Sequence, residues 1–147
     1  MLVRVEAAPI NPADLIFIAG HYSSDKKPPC TPGMEGSGVV VSAGSGPGAT
    51  ALVGKRIAFV EGKHGTGSWG EYILLKAESA IPIPEEVSLE TAACSFVNPV
   101  TVLLMLETVK EAGVKTVVST AAASALGRML VRLFQSEGID VINIVRR

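Results

Sequence analysis

The stretch from Lys115 to Val145 constrains the fold more than any other part of this chain. It opens with a compact β-prone run, Lys115 to Thr120. A turn of small residues follows, Ala121-Ala122-Ala123-Ser124. Leu126, Met129, Leu130, Leu133 and Phe134 then recur at i, i+3, i+4, i+7 and i+8, the spacing of one helical face. Ser124 is placed to cap that helix and Gly138 to end it. Ile139 to Val145 is a nearly continuous apolar run, the pattern of a parallel strand covered on both faces. Strand, helix and strand within about thirty residues predict one βαβ unit.

The turn inside that unit has chemical content. Small residues let an anion come close to the backbone, and a helix N-terminus offers free N–H groups and a partial positive charge. Ala123, Ser124, Ala125, Leu126 and Gly127 are therefore candidate cofactor-binding residues. A G-x-x-G-x-x-G turn would place glycines where this chain has Ala121, Ser124 and Gly127, so only the last glycine is present. That glycine suits close packing of helix on sheet. On the turn alone, a βαβ corner holding no nucleotide stays open. The second strand ends in Arg146-Arg147. At that place an acidic residue suits the 2′-hydroxyl of NAD and arginine suits the 2′-phosphate of NADP. The pair points to NADPH if a nucleotide binds; a solvated basic terminus is the alternative.

The first half has a different pattern. Leu2 to Ala7 alternates apolar and polar, as a half-buried strand does. Asn11-Pro12 starts a short helix that Gly20 ends. Pro28, Pro29, Pro32 and Gly33 make a loop. Val39 to Ser42, Lys55 to Val60 and Glu71 to Leu75 read as strands, separated by glycine-rich turns at Gly44 to Gly48 and Gly62 to Gly67. Short strands with frequent turns predict a partly open barrel or sandwich. The Gly33 to Gly38 run leads into a strand and carries no lysine, so it is not a phosphate loop. Glu35 and Glu71 read as turn and strand-edge residues. Ser88 caps a short helix, and Asn98-Pro99 starts a longer one that Gly113 ends. Residues 1–96 thus read as one β domain and 97–147 as the start of a second.

Composition narrows the function classes. Of 147 residues, 48% are hydrophobic and 18% charged, with a net charge of -1, which suits a packed core and offers no basic patch for nucleic acid. No apolar run is long enough to span a membrane. Cys30, Cys94, His21 and His64 lack the spacing of a zinc site, and the two cysteines make no disulfide framework. A reducing, cytoplasmic compartment is expected, or a mitochondrial one if a leader has been removed.

The ordered segments Ala8-Pro9-Ile10-Asn11-Pro12-Ala13-Asp14, Gly20-His21-Tyr22, Pro32-Gly33-Met34-Glu35-Gly36-Ser37-Gly38, Gly67-Ser68-Trp69-Gly70-Glu71-Tyr72 and Val97-Asn98-Pro99-Val100-Thr101 carry a resemblance along the whole chain. It resembles the medium-chain dehydrogenase/reductase superfamily, in its zinc-independent quinone oxidoreductase and 2-enoyl thioester reductase branch. Zinc-dependent members have cysteine at the place of Asn11 and histidine at that of Met34, and a four-cysteine lobe that is missing here. The resemblance implies a GroES-like, partly open β-barrel followed by the first βαβ unit of an incomplete Rossmann domain. It implies an NADPH-dependent reductase of an activated C=C bond or a quinone, with a small-molecule substrate. The enoyl reductases look nearer, by Gly20-His21-Tyr22, Val97-Asn98-Pro99 and Ile142-Asn143-Ile144-Val145-Arg146.

Site roles follow from the same resemblance. Tyr22 would be the catalytic donor and Asn11 would lie near nicotinamide and substrate. Thr101 would approach the nicotinamide, and Trp69 would line the substrate cleft. Each has a plainer alternative: a loop-packing aromatic for Tyr22, a helix cap for Asn11, a buried polar residue for Thr101 and a strand-edge aromatic for Trp69. A full dinucleotide domain needs about six strands and the pattern supplies two, so the chain reads as a piece of a longer enzyme with little turnover alone. A non-catalytic binding or structural module, and a short chain acting through a homodimer, remain as other classes.

Overall fold

The computed structural model describes residues 1–22, 29–46, 48–60 and 67–146, and it divides the chain into two compact units, Met1–Phe96 and Val97–Arg147. The turn expected from Gly62 and the histidine at His64 lie outside the described residues, as does Arg147.

The first unit is built on an antiparallel five-stranded sheet. Its strands are β1 (Leu2–Ala7), β2 (Glu35–Ser42), β3 (Arg56–Val60), β4 (Tyr72–Leu74) and β5 (Ala80–Pro82), in the order β4-β1-β2-β3-β5. Alternation in β1 sends Val3 into the core and leaves Arg4 and Glu6 outside, where they form a 2.8 Å ion pair. Val3 stands opposite Val40 on one side and Ile73 on the other. Together with Ile57, Phe59 and Leu75 they form the core. Burying a ring such as that of Phe59 contributes about 1.5–3 kcal/mol. Helix α1 spans Pro12–Ile18, and helix α2, Leu89–Ala93, packs on β1, β2 and β3. Ser88 caps α2 as expected, its hydroxyl accepting from the Thr91 N–H.

Two strand assignments change. β2 begins at Glu35, four residues before the expected Val39, because the glycine run is strand and not turn. Gly38 pairs with Ile57 and Val5, and any Cβ there would strike the Arg4 carbonyl. Glycine is thus the residue that lets β1 and β2 close up. β5 was not expected; it pairs Ile57 with Pro82 at the sheet edge, where a proline costs no ladder hydrogen bond.

The second unit contains helix α3 (Val97–Glu111), strand β6 (Thr116–Thr120), helix α4 (Ala125–Ser136) and strand β7 (Asp140–Ile144). β6 and β7 are parallel neighbours in register from Thr116–Asp140 to Thr120–Ile144, the expected βαβ arrangement. Val102 and Leu106 of α3, Leu130 and Phe134 of α4, and Ile139 make its core. Leu126 and Leu133 pack against it, but Met129 does not and is 37% exposed. At about 100° per residue, Met129 stands a quarter-turn off the line through Leu130. β7 is also not covered on both faces. Val141 faces the core, whereas Ile142 and Ile144, with Val118 of β6, lie on an exposed opposite face.

Candidate functional site

The β6–α4 corner is shaped by backbone constraints. Ala121 has φ +53°, a left-handed conformation that a glycine adopts without cost. Its carbonyl accepts from the Ser124 N–H at 2.9 Å, closing the turn, and the Ala122 N–H donates to the Ile144 carbonyl at 3.3 Å. Ser124 then caps α4, its Oγ accepting from the Gly127 N–H at 3.0 Å. Gly127 is buried, and a Cβ there would lie 2.6–2.8 Å from the Ala122 backbone. Helix and turn therefore touch at this glycine.

These bonds leave a specific set of donors. The amides of Ser124 and Gly127 are engaged inside the corner, and so is the Ser124 hydroxyl. The N–H groups of Ala123, Ala125 and Leu126 have no acceptor among the described residues. Ala123 and Ala125 are exposed and Leu126 half-buried. Beside them an open cleft of about 310 Å³ is lined by Ala122 and Ala123 of the turn, Arg128 and Arg132 of α4, and Asn143 and Val145 at the end of β7. Arg146 follows, fully outside that lining but exposed. Thr101, in the first turns of α3, is half-buried and its Oγ1 donates back to the Val97 carbonyl at 2.6 Å.

In the first unit the candidate residues fall in two settings. Asn11 is 5% exposed. It precedes α1, but its side-chain Nδ2 donates to Glu35 Oε1 at 2.9 Å. Asn11 is the N-cap residue of α1, and Asp14 completes the capping box, its Oδ2 accepting from the Asn11 N–H at 2.7 Å. Glu35 is 1% exposed and its other oxygen accepts from the Phe96 N–H at 3.0 Å. It is thus a buried structural carboxylate rather than the turn residue its glycine-rich context suggests. Its neighbour Cys94 has a thiol pushed up by burial and further by the Glu35 charge. Trp69 is half-buried, with Nε1 donating to the Pro9 carbonyl at 3.1 Å. Tyr22 is 45% exposed, and its hydroxyl has no partner among the described residues. Glu71 is an exposed edge residue whose carbonyl accepts from the Val5 N–H.

Sequence reasoning missed Glu35, Asp14, Arg128 and Arg132. The first two are identified only by partners distant in sequence or by burial. The arginines show a signal, their i, i+4 spacing opposite the apolar stripe, but nothing local says which wall they line. Among the described residues, no group of three or more His, Cys, Asp or Glu is arranged to hold a metal, and no helix is long and apolar enough to cross a membrane.

Comparison with known proteins adds four likenesses. Residues 1–85 match the family model of the alcohol dehydrogenase GroES-like domain. A Mesorhizobium loti protein assigned as an NADPH:quinone reductase superposes with a TM-score of 0.92 at 41% identity, over 99% of this chain and 42% of its own. The Thermus thermophilus quinone oxidoreductase, solved also in complex with NADPH, gives 0.80 at 30% identity, over 99% of this chain and 44% of its own. The mitochondrial enoyl-[acyl-carrier-protein] reductase of Caenorhabditis elegans is 36% identical over 149 residues, covering 99% of this chain and 42% of that protein. The chain spans less than half the length of these relatives.

Proposed function

Since the chain belongs to the alcohol dehydrogenase GroES-like domain family, in the zinc-independent branch of the medium-chain dehydrogenase/reductase superfamily, we propose that it is part of an NADPH-dependent reductase of activated double bonds. The substrate class is an enoyl thioester, with a quinone as the second reading. The observation that carries this is the β6–α4 corner. Among the described residues, three amides there lack acceptors, the turn is stripped of bulky side chains, and no carboxylate lines the adjoining cleft. Those features fit a dinucleotide diphosphate. Ala125 and Leu126 would hold its oxygens, Gly127 lets the helix come close enough, and Arg146 with Arg147 would face the 2′-phosphate.

When bound, the cofactor supplies a hydride. The protein's part is to orient the acceptor and stabilise the charge that builds on its carbonyl oxygen. Tyr22 is the donor in this reading: it is 45% exposed and its hydroxyl has no partner among the described residues. A phenol hydrogen bond to a developing enolate stabilises it, and proton transfer completes reduction. Asn11 is held by Glu35 through one Nδ2–H bond, and in this reading it would lie near nicotinamide and substrate. By the family resemblance Thr101 would approach the nicotinamide and Trp69 would line the substrate cleft. The enoyl reading is favoured over the quinone one by the family resemblance around Tyr22 and by the C. elegans relative. The compartment that fits is the cytoplasm or the mitochondrion, and a homodimer is the assembly to test for.

The test is NADPH oxidation by the full-length protein with a 2-enoyl thioester and with a quinone. Tyr22→Phe should lower the enoyl-reduction rate constant by roughly a hundredfold, within the range of general-acid contributions, while leaving NADPH affinity nearly unchanged. An unchanged turnover number would reject the tyrosine role. Failure to oxidise NADPH with either acceptor would reject the reductase reading.

A further inference from the structure

We propose that Glu35 is a positioning residue: its buried carboxylate fixes the Asn11 side chain so that position 11 offers a donor, an Nδ2–H, to a carbonyl oxygen of the nicotinamide or the substrate. This rests on the reductase reading above, in which Asn11 lies near those groups. It adds which end of the amide faces them and what sets that choice.

The carboxylate is itself firmly held. Glu35 opens β2 and pairs with Val60 of β3. It is 1% exposed, and its Oε2 accepts from the Phe96 N–H at 3.0 Å. Its Oε1 accepts from Asn11 Nδ2 at 2.9 Å. That bond decides the orientation of the amide. Reversing it would set Asn11 Oδ1 against Glu35 Oε1, two acceptors with no proton between them. The main chain of Asn11 is fixed separately. Its N–H donates to Asp14 Oδ2 at 2.7 Å, and its carbonyl accepts from the Asp14 N–H at 3.0 Å. What Glu35 controls is therefore the direction of the side-chain amide. An amide nitrogen carries two hydrogens. One is taken by Glu35, and the second has no acceptor among the described residues, although Asn11 is only 5% exposed. Buried donors are nearly always paired, so a ligand oxygen is the partner this one fits. A donor held by a charge-assisted bond before the ligand arrives needs no reorganisation when charge develops.

The test uses the full-length protein and a double-mutant cycle. In Glu35→Gln the new amide cannot accept from both Asn11 and Phe96, so the Asn11 side chain is released. This variant should lower kcat roughly tenfold, the scale of one hydrogen bond lost in the transition state. Asn11→Ala should lower it by a similar factor, and the double variant by no more than the larger single loss. Losses that multiply overturn the proposal. The exchange Asn11→Asp with Glu35→Gln keeps one buried carboxylate and reverses the polarity of the bond, and it serves if Glu35→Gln alone does not fold. Its melting temperature should recover toward that of the unmodified protein while kcat stays low, because position 11 then offers an acceptor. Recovery of kcat with stability would make the role of Glu35 purely structural. A readout without turnover comes from the Asn11 side-chain amide resonances of asparagine-labelled protein, assigned by their loss in Asn11→Ala. They should move in Glu35→Gln before any ligand is added. They should shift with NADPH alone if the acceptor oxygen belongs to the nicotinamide, and only with a saturated acyl thioester added to NADPH if it belongs to the substrate. No shift in either titration overturns the proposal. If the unmodified protein reduces an enoyl thioester or a quinone but the two losses multiply, the reductase reading stands and this inference falls. If it reduces neither, both fall together.

Discussion

Ala121 is where a single residue shows most strain. Its left-handed φ of +53° costs a non-glycine residue about 1–2 kcal/mol, and it occupies the place of the first glycine in the fingerprint. Ala121→Gly should relieve that strain and pay back part of it in unfolded-chain entropy, for a net stabilisation of about 0.5–1 kcal/mol. Differential scanning calorimetry should show a raised Tm, and a lowered one would mean the turn does not need this conformation. That Ala121 takes the glycine's place was legible from its spacing to Ser124 and Gly127. The role of Glu35 was not. Its partners, Asn11 and Phe96, are 24 and 61 positions away, and no local pattern encodes a hydrogen bond across such separations. A glutamate in a glycine-rich run reads as turn until the strand pairing around it is known.

Among the elements, α4 was the most legible, and its helical stripe, cap and stop all come from neighbours in sequence. Leu126, Leu130, Leu133 and Phe134 pack as the spacing implies, and Ser124 caps. Met129 fell off the stripe because a five-position apolar pattern is wider than the contact line it serves. Strand limits were less legible. Gly36 and Gly38 sit in β2 for steric reasons that only its pairing with β1 and β3 supplies, and β5 is too short to announce itself. The element's own weak point is Gly127. A methyl group there would meet the Ala122 backbone at 2.6–2.8 Å. Gly127→Ala should therefore destabilise the second unit by about 1–3 kcal/mol, as overpacking does, and should also push α4 away from the turn. Urea unfolding followed by a probe in that unit checks this, and an unchanged midpoint would show that the contact yields easily.

For the molecule as a whole, the sequence carried the order of elements, the βαβ unit and the family likeness. It carried less about surfaces. Ile142 and Ile144 read as part of a strand covered on both faces, yet in this chain they are exposed at 51–55%. Periodicity says that a residue is apolar, not which neighbour covers it. The functional account depends on one physical property of the molecule, an unfilled set of backbone donors at the mouth of α4. Amide resonances of the uniformly labelled protein report on that set directly during titration with NADPH and NADH. The account predicts large shifts at Ala123, Ala125 and Leu126 with both nucleotides, saturating at lower concentration for NADPH. Amides at those three positions that stay unmoved at saturating NADPH would contradict it.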